Sequence, residues 1–230
     1  MKNRIINYAL CLIALVSSIV ALPYLPDSVP MHFGINGAVD RYGSKYEMLL
    51  LPAVLVLINV LSEFGLLRAR LNGRDPESRA VKSDGENAKV ATITMTVISF
   101  VLVILNFALI YIAHSSSENL GDLPFDFTGL SSVALGITFI VTGNYMPKTK
   151  RNSLIGMRTV WSMYNDVTWQ KSNRFAAYAL VLAGIVTAFC GLVFGGMASL
   201  IVLLGTLVIT SVVITIYSYR VYRKEKNNEN

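Results

Sequence analysis

Residues 175–219 read FAAYALVLAGIVTAFCGLVFGGMASLIVLLGTLVITSVVITIYSY and contain no Asp, Glu, Lys or Arg. A helix needs about 20 mostly apolar residues to cross a membrane, so one helix of this length would be too long for a single crossing. The middle of the stretch, residues 194–199, reads FGGMAS, and its two glycines permit a tight turn. The stretch therefore predicts two transmembrane helices joined as a hairpin.

Four more apolar runs precede this hairpin, separated by short polar stretches that hold nearly all the charges. The chain is 53% hydrophobic and 15% charged, whereas soluble domains carry about 25% charged residues. The six predicted helices cover residues 5–25, 48–67, 90–113, 128–145, 175–193 and 200–219. We therefore predict an all-α, polytopic integral membrane protein with an N-terminal three-helix half (residues 1–115) and a C-terminal three-helix half (residues 116–230).

The distribution of Lys and Arg predicts the orientation of these helices. Of the 20 basic residues, 18 lie before the first helix, between helices two and three, between helices four and five, or after helix six. Only Arg41 and Lys45 lie on the other side. Since Lys and Arg collect in cytoplasmic loops, we expect both termini in the cytoplasm.

The net charge of +6 does not indicate nucleic-acid binding. The basic residues are spread over four cytoplasmic segments and form no patch interleaved with aromatic side chains. They are typical of topology signals and of contacts with anionic membrane lipids. We therefore expect lipids as partners and no direct contact with nucleic acid.

The first outer loop, residues 26–47, is rich in special residues. Its prolines favour extended backbone and its glycines permit turns. Binding residues concentrate in loops that a rigid scaffold holds, so the loop is either a ligand contact or a turn that covers the helix ends. The candidate contact residues are His32, Phe33, Gly37, Asp40 and Lys45. No spacing of His32 and His114 with nearby acids supports a metal site, and we expect no metal or cofactor.

The cytoplasmic loop of residues 143–174 holds both tryptophans of the chain. Trp and Tyr favour the membrane–water interface, which predicts an in-plane segment on the inner leaflet before helix five. Asn165 or Asp166 is suited to cap a short helix there, and the guanidinium of Arg158 is suited to clamp backbone carbonyls or lipid phosphate. Lipid anchoring alone does not explain the polar and special residues of the loop, and the candidate residues are Asn144, Pro147, Asn152, Gly156, Arg158, Trp161 and Trp169.

Two sets of residues within the helices are notable. Asn59 and Glu63 are four residues apart on one face of helix two. An intramembrane acid is a candidate functional group, but a carboxylate that reaches the interface or pairs with an arginine such as Arg68 is the simpler interpretation. Small residues recur along helix five and predict close packing against a neighbouring helix, namely Gly184, Ala188, Gly191 and Gly195.

The long cytoplasmic loop resembles the signature of the SdpI family, which comprises membrane immunity proteins against secreted toxin peptides of the sporulation-delay type. The matching residues are 143–147 (GNYMP), Asn152, 155–159 (IGMRT), Trp161, Trp169 and 171–174 (KSNR). The outer loop resembles the short module often fused ahead of that region, through Pro30, His32, Phe33, Gly37, Asp40, Ser44 and Lys45. One departure is Asn173, where many relatives have histidine.

The resemblance implies a multi-pass protein of the bacterial plasma membrane that protects its cell from a secreted toxin peptide. It also implies a signalling role in which a cytoplasmic repressor is held at the membrane. The alternatives are a small membrane transporter of a peptide or small molecule, and a membrane enzyme. Neither a broken helix pair nor a catalytic constellation is present in the sequence, so we expect a binding protein without catalysis.

The predicted orientation is testable by cysteine labelling. Cysteines placed at Ser44 and Ser116 should react with an impermeant thiol reagent in intact cells, since both lie in predicted outer loops. A cysteine at Ser83, between helices two and three, should react only after the cells are opened. Labelling of position 83 in intact cells would contradict the orientation.

Overall fold

Six long helices make up most of the molecule. The computed structural model describes residues 2–72, 80–152 and 155–229 and is 78% helical. The helices are α1 (Lys2–Ala21), α2 (Leu50–Asn72), α3 (Ala80–Ser115), α4 (Phe127–Tyr145), α5 (Asp166–Val193) and α6 (Gly196–Glu229). Each is long and apolar enough to cross a membrane, so the prediction of a six-helix, multi-pass membrane protein is confirmed.

Several helices, among them α2, α3 and α6, are longer than their apolar runs. α2 continues to Asn72 and α3 begins at Ala80, which leaves a shorter connection than the sequence indicates; residues 73–79 lie outside the described part. α6 has 34 residues and is therefore about 50 Å long, whereas the hydrocarbon core is about 30 Å thick. The last turns of α6, from Arg220 onward, therefore extend beyond the apolar layer.

The first loop contains a β-hairpin that the sequence analysis did not predict. β1 (Ser28–Phe33) pairs antiparallel with β2 (Val39–Ser44), and the register shifts around His32. Sequence patterns missed the hairpin because its strands do not alternate apolar and polar residues, the usual sign of a half-buried strand. Beneath it lies a small core of Leu25, Val29, Met48 and Ala113. Short 3₁₀ helices complete the connections, at Leu22–Tyr24, Lys45–Leu49, Leu120–Asp122 and Met146–Lys148.

α4 and α5 are packed backbone against backbone. A Cβ atom added to Gly136 would lie 2.7 Å from the carbonyl oxygen of Gly184, and one added to Gly184 would lie 2.6 Å from that of Gly136. Such distances leave no space for a side chain. The close contacts repeat every seven residues along both helices, and they join Gly129 to Gly191, Gly136 to Gly184 and Gly143 to Ala177.

The predicted small-residue seam on helix five is therefore confirmed at Gly184, Ala188 and Gly191, and its partner is α4. Gly195 is different, because it follows α5 in the turn to α6 and has φ +57°.

α1–α3 pack on one another, α4–α6 do the same, and α3 contacts α4 between the two groups. The division of the chain into two functional halves stays a prediction.

The close packing of α4 against α5 can be tested by placing a larger side chain at one of the packed glycines. Gly191→Leu should reduce the yield of folded protein and its melting temperature, since its Cβ would lie 2.8 Å from the Gly129 carbonyl oxygen and overpacking costs about 1–3 kcal/mol. Gly205→Leu on α6 is the matched control, because no atom lies within 4 Å of a Cβ at that position. Equal melting temperatures for the two variants in detergent would refute the seam.

Candidate functional site

One end of the helix bundle is formed by residues 22–49, 116–126 and 194–195, and we name it the hairpin face. The β-hairpin is fixed there to the α3–α4 connection by two backbone hydrogen bonds. The Val39 N–H donates to the Glu118 carbonyl oxygen at 2.8 Å, and the Leu120 N–H donates to that of Gly37 at 2.8 Å. Gly37 has φ +78°, a conformation that glycine adopts without strain. The hairpin and the second loop therefore form one surface.

Of the predicted residues of the outer loop, two form an exposed pair and the others contribute to the fold of the loop. Nδ1 of His32 lies 2.5 Å from Oδ1 of Asp40, and these side chains are 66% and 52% exposed. Lys45 is only 20% exposed, and its Nζ lies 2.8 Å from Oδ1 of Asp27. The hydrogen bond and the charge of Lys45 lower the pKa of Asp27. The half-buried Phe33 pairs with Val39 at the hairpin tip.

A cleft of about 400 Å³ opens beside the hairpin tip. It lies between residues of three separate segments, and its lining includes Ile35, Leu120, Leu123, Phe125, Asp126 and Met197. Of the predicted residues, only Gly37 lines it. The other lining residues were not predicted, because nothing in the sequence indicates that the three segments meet.

Asp126 joins two of these segments. Its Oδ1 accepts hydrogen bonds from the Thr128 hydroxyl at 2.7 Å and the Gly129 N–H at 2.9 Å, which caps the start of α4. Its Oδ2 accepts one from the Gly196 N–H at 2.7 Å, at the start of α6. Burial raises the pKa of Asp126, but the hydrogen bonds from Gly129, Thr128 and Gly196 outweigh it and hold the pKa below its ordinary value. The side chain is therefore a carboxylate at neutral pH.

The opposite end of the bundle is formed by residues 146–152 and 155–165 and the adjoining ends of α5 and α6, and we name it the signature face. Trp169 is buried there, with 2% of its surface exposed. Its Nε1–H donates to the Thr149 carbonyl oxygen at 3.0 Å. Trp169 is thus a core residue of this folded loop.

Asn165 is the N-cap of α5, with its side chain accepting from the Thr168 N–H at 2.8 Å. The prediction that Asn165 or Asp166 caps a helix is confirmed for Asn165, although the capped element is α5 itself and no separate short helix precedes it among the described residues. An in-plane position of the loop on the inner leaflet stays a prediction.

Asn173 and Gly156 form the centre of the signature face. Asn173 is 1% exposed. Its side chain accepts from the Met157 N–H at 2.7 Å and donates to the Met157 carbonyl oxygen at 3.4 Å. Gly156 has φ +109°, and a Cβ there would lie 2.6 Å from Oδ1 of Asn173 and 2.9 Å from the Trp169 ring. The amide at position 173 therefore both donates and accepts in fixing the loop to α5.

The other predicted residues of this loop occupy different environments. The Asn152 amide donates to the Ile155 carbonyl oxygen at 3.0 Å and closes a turn whose residues 153–154 lie outside the described part. Trp161 packs edge-on against Tyr219 of α6, with ring centroids 5.1 Å apart. Three predicted residues are exposed, namely Asn144, Pro147 and Arg158.

Arg151 provides a clamp of the kind predicted for Arg158. Its guanidinium donates to the carbonyl oxygens of Met163 and Tyr164, at 3.2 Å each, and its Nε lies 3.0 Å from Oδ1 of Asp166. Arg151 thereby links the start of the loop to the start of α5. Nothing in the sequence indicates that Arg151 reaches Met163 and Tyr164, which lie 12 and 13 positions away.

The intramembrane polar residues hold helices of the N-terminal half together. The Asn59 amide is buried and donates to the Ser99 hydroxyl of α3 at 3.1 Å. Glu63 is half-buried, and its carboxylate lies 3.0 Å from Arg4 of α1, which places its partner on a different helix from Arg68. Within the described residues, no group of three His, Cys, Asp or Glu side chains could hold a metal ion.

Comparison with known proteins gives one family match in each half of the chain. Residues 9–56 match a domain of unknown function, DUF1648, and residues 148–218 match the SdpI/YfhL protein family. The uncharacterized protein YfhL of Bacillus subtilis (strain 168) is 35% identical over 88 residues, which cover 38% of this chain and 78% of YfhL. The chain belongs to the SdpI/YfhL family.

The similarity within the family extends along the whole chain. Immunity protein SdpI of Bacillus subtilis (strain 168) is 25% identical over 224 residues, covering 97% of this chain and 98% of that protein. An uncharacterized protein of Archaeoglobus fulgidus is 60% identical over 30 residues, 13% of this chain and 16% of its own length. No solved structure matches.

The signature face yields a fluorescence prediction. In a Trp161→Phe background Trp169 is the single tryptophan, and Gly156→Ala should shift its emission to longer wavelength, since the added methyl group would lie 2.9 Å from its ring. Val160→Ala is the matched control in the same loop, because Val160 is 88% exposed. An unchanged spectrum for Gly156→Ala would contradict the buried arrangement of Trp169.

Proposed function

We propose that this chain is a membrane immunity protein that protects the cell producing it against a secreted toxin peptide. The observation that carries the proposal is the similarity to Immunity protein SdpI along 97% of this chain and 98% of that protein. Similarity of this extent includes both faces and all six helices, so it concerns the whole molecule.

The hairpin face is the proposed meeting point with the toxin. Only two of the 20 Lys and Arg residues, Arg41 and Lys45, belong to the segments of the hairpin face, which supports an outward hairpin face by the positive-inside rule. A secreted peptide reaches that face first. His32 and Asp40 are the proposed contacts, because their paired side chains are more than half exposed. Gly37, Phe33 and Lys45 position the loop, and Lys45 does so through its ion pair with Asp27.

Binding without catalysis is favoured over transport. Each spanning helix runs unbroken through the described residues, whereas transporter sites are often formed by discontinuous helices. The polar groups that would form a pathway are engaged in holding helices together, Asn59 with Ser99 and Glu63 with Arg4.

We also propose that the signature face relays the presence of toxin to a cytoplasmic repressor. Val160 is 88% exposed at this face, and the neighbouring Arg158 is exposed as well. An exposed apolar residue beside a basic one, on a loop held by Trp169 and Asn173, is suited to contact a soluble partner. Arg158→Ala should therefore reduce signalling while survival in toxin is retained.

Survival of a toxin-sensitive host tests the immunity function. The wild-type chain should raise the concentration of a sporulation-delay-type toxin peptide that the host survives. His32→Ala and Asp40→Ala should each lower that concentration about tenfold, which corresponds to the loss of a contact worth about 1.4 kcal/mol. Membrane levels are compared by blotting.

A matched control uses an ion pair at the opposite face. Lys150 and Glu86 lie 3.4 Å apart, and about half of each side chain is exposed. Exposed ion pairs contribute little to stability, so Glu86→Gln should protect as well as the wild type. No protection by the wild-type chain would reject the immunity function. Full protection by the His32 and Asp40 variants would reject only these two contacts.

A further inference from the structure

The cleft beside the hairpin tip has the character of a ligand site. Its volume of about 400 Å³ lies within the range of about 300–1,000 Å³ that is usual for small-ligand pockets. The lining is mainly apolar and includes Ile35, Leu120, Leu123, Phe125 and Met197, beside the uncharged polar side chains of Asn36, Asn119 and Thr128. Ile35 is 79% exposed, so its side chain is accessible to a ligand in the cleft.

A single charge lies in this apolar lining. Asp126 is the one charged residue among the described residues of the cleft wall. Its carboxylate accepts hydrogen bonds from Thr128, Gly129 and Gly196, which fix its position at the cleft wall. These donors are neutral, so the negative charge of Asp126 remains to attract a cationic ligand.

The surroundings of the cleft are also acidic. The hairpin face carries six Asp and Glu residues against two Lys and Arg residues, a net charge of −4. Arg41 and Lys45 are both engaged, by Glu47 and Asp27. The three acids of the segment that forms one cleft wall, Glu118, Asp122 and Asp126, have no ion-pair partner among the described residues. Such a surface attracts cations over several ångströms and raises their local concentration.

We propose that this cleft binds a segment of the toxin peptide in which a cationic group, a Lys or Arg side chain or a free amino terminus, stands beside an apolar side chain. The apolar side chain would cover Ile35 and Phe125, and the cation would face Asp126. The proposal rests on the proposed immunity function and extends the toxin contact from the exposed His32–Asp40 pair into the cleft. An anionic or wholly neutral partner would leave the acidic wall unmatched.

Photo-crosslinking locates the peptide. A photoreactive phenylalanine derivative at position 35 should crosslink a sporulation-delay-type toxin peptide in intact cells that express the protein. The same derivative at position 42 is the matched control, because Tyr42 is 50% exposed on the same hairpin and does not line the cleft. An added synthetic peptide of apolar and Lys residues should reduce the crosslink, and the same peptide with Glu in place of Lys should not.

Charge reversal tests whether electrostatic attraction contributes to binding of the toxin peptide. Asp122→Lys should lower the toxin concentration that the host survives about tenfold, with a smaller loss for Asp122→Asn, and added salt should reduce the difference because it screens exposed charges. Asp122 is suited to this test because its side chain is exposed, so both variants should reach the membrane at wild-type levels, as blotting can verify.

The outcomes separate the two proposals. A wild-type chain that gives no protection rejects the immunity function and this inference with it. Protection by the wild type, combined with equal crosslinking from positions 35 and 42 or none from position 35, rejects the cleft alone. Equal competition by the Lys and Glu peptides, or full protection by Asp122→Lys, rejects the cationic partner.

Discussion

The close contact between α4 and α5 is the constraint on which the C-terminal half of the structure depends. Within a membrane the lipid tails are as apolar as the side chains, so helices gain little from hydrophobic burial and associate through close packing. Gly136 and Gly184 bring the two backbones together, and the same spacing recurs at Gly129 with Gly191. A larger side chain at any of these positions would separate the helices.

Both faces of the molecule follow from this contact. At one end, the seam places the start of α4 beside the α5–α6 turn, where Asp126 accepts a hydrogen bond from Gly196. At the other end, the seam continues to Gly143 and Ala177, next to the buried Trp169 and Asn173 that hold the signature loop. The cleft and the signature loop are therefore built on opposite ends of one rigid helix pair.

The N-terminal half is held together differently. Its helices meet through polar side chains, such as Asn59 with Ser99 and Asn106 with Ser18, and through the ion pair of Arg4 and Glu63. Interhelical hydrogen bonds in membranes are worth about 0.6 kcal/mol on average, so these contacts orient the helices more than they stabilise them. The hairpin then joins this half to the cleft through the Val39–Glu118 hydrogen bond.

The sequence by itself determined the six spanning helices, the small-residue face of α5 and a cap at Asn165 or Asp166, because each depends on a local pattern: an apolar run, small residues three or four positions apart, or a capping side chain. The β-hairpin, the cleft and the role of Arg151 were decided only by the tertiary structure. The cleft combines residues 35–37, 119–128 and 196–197, and the Arg151 clamp joins residues 12 and 13 positions apart. Such contacts form only when the packed helices bring distant segments together. A local sequence pattern does not specify which distant segments meet.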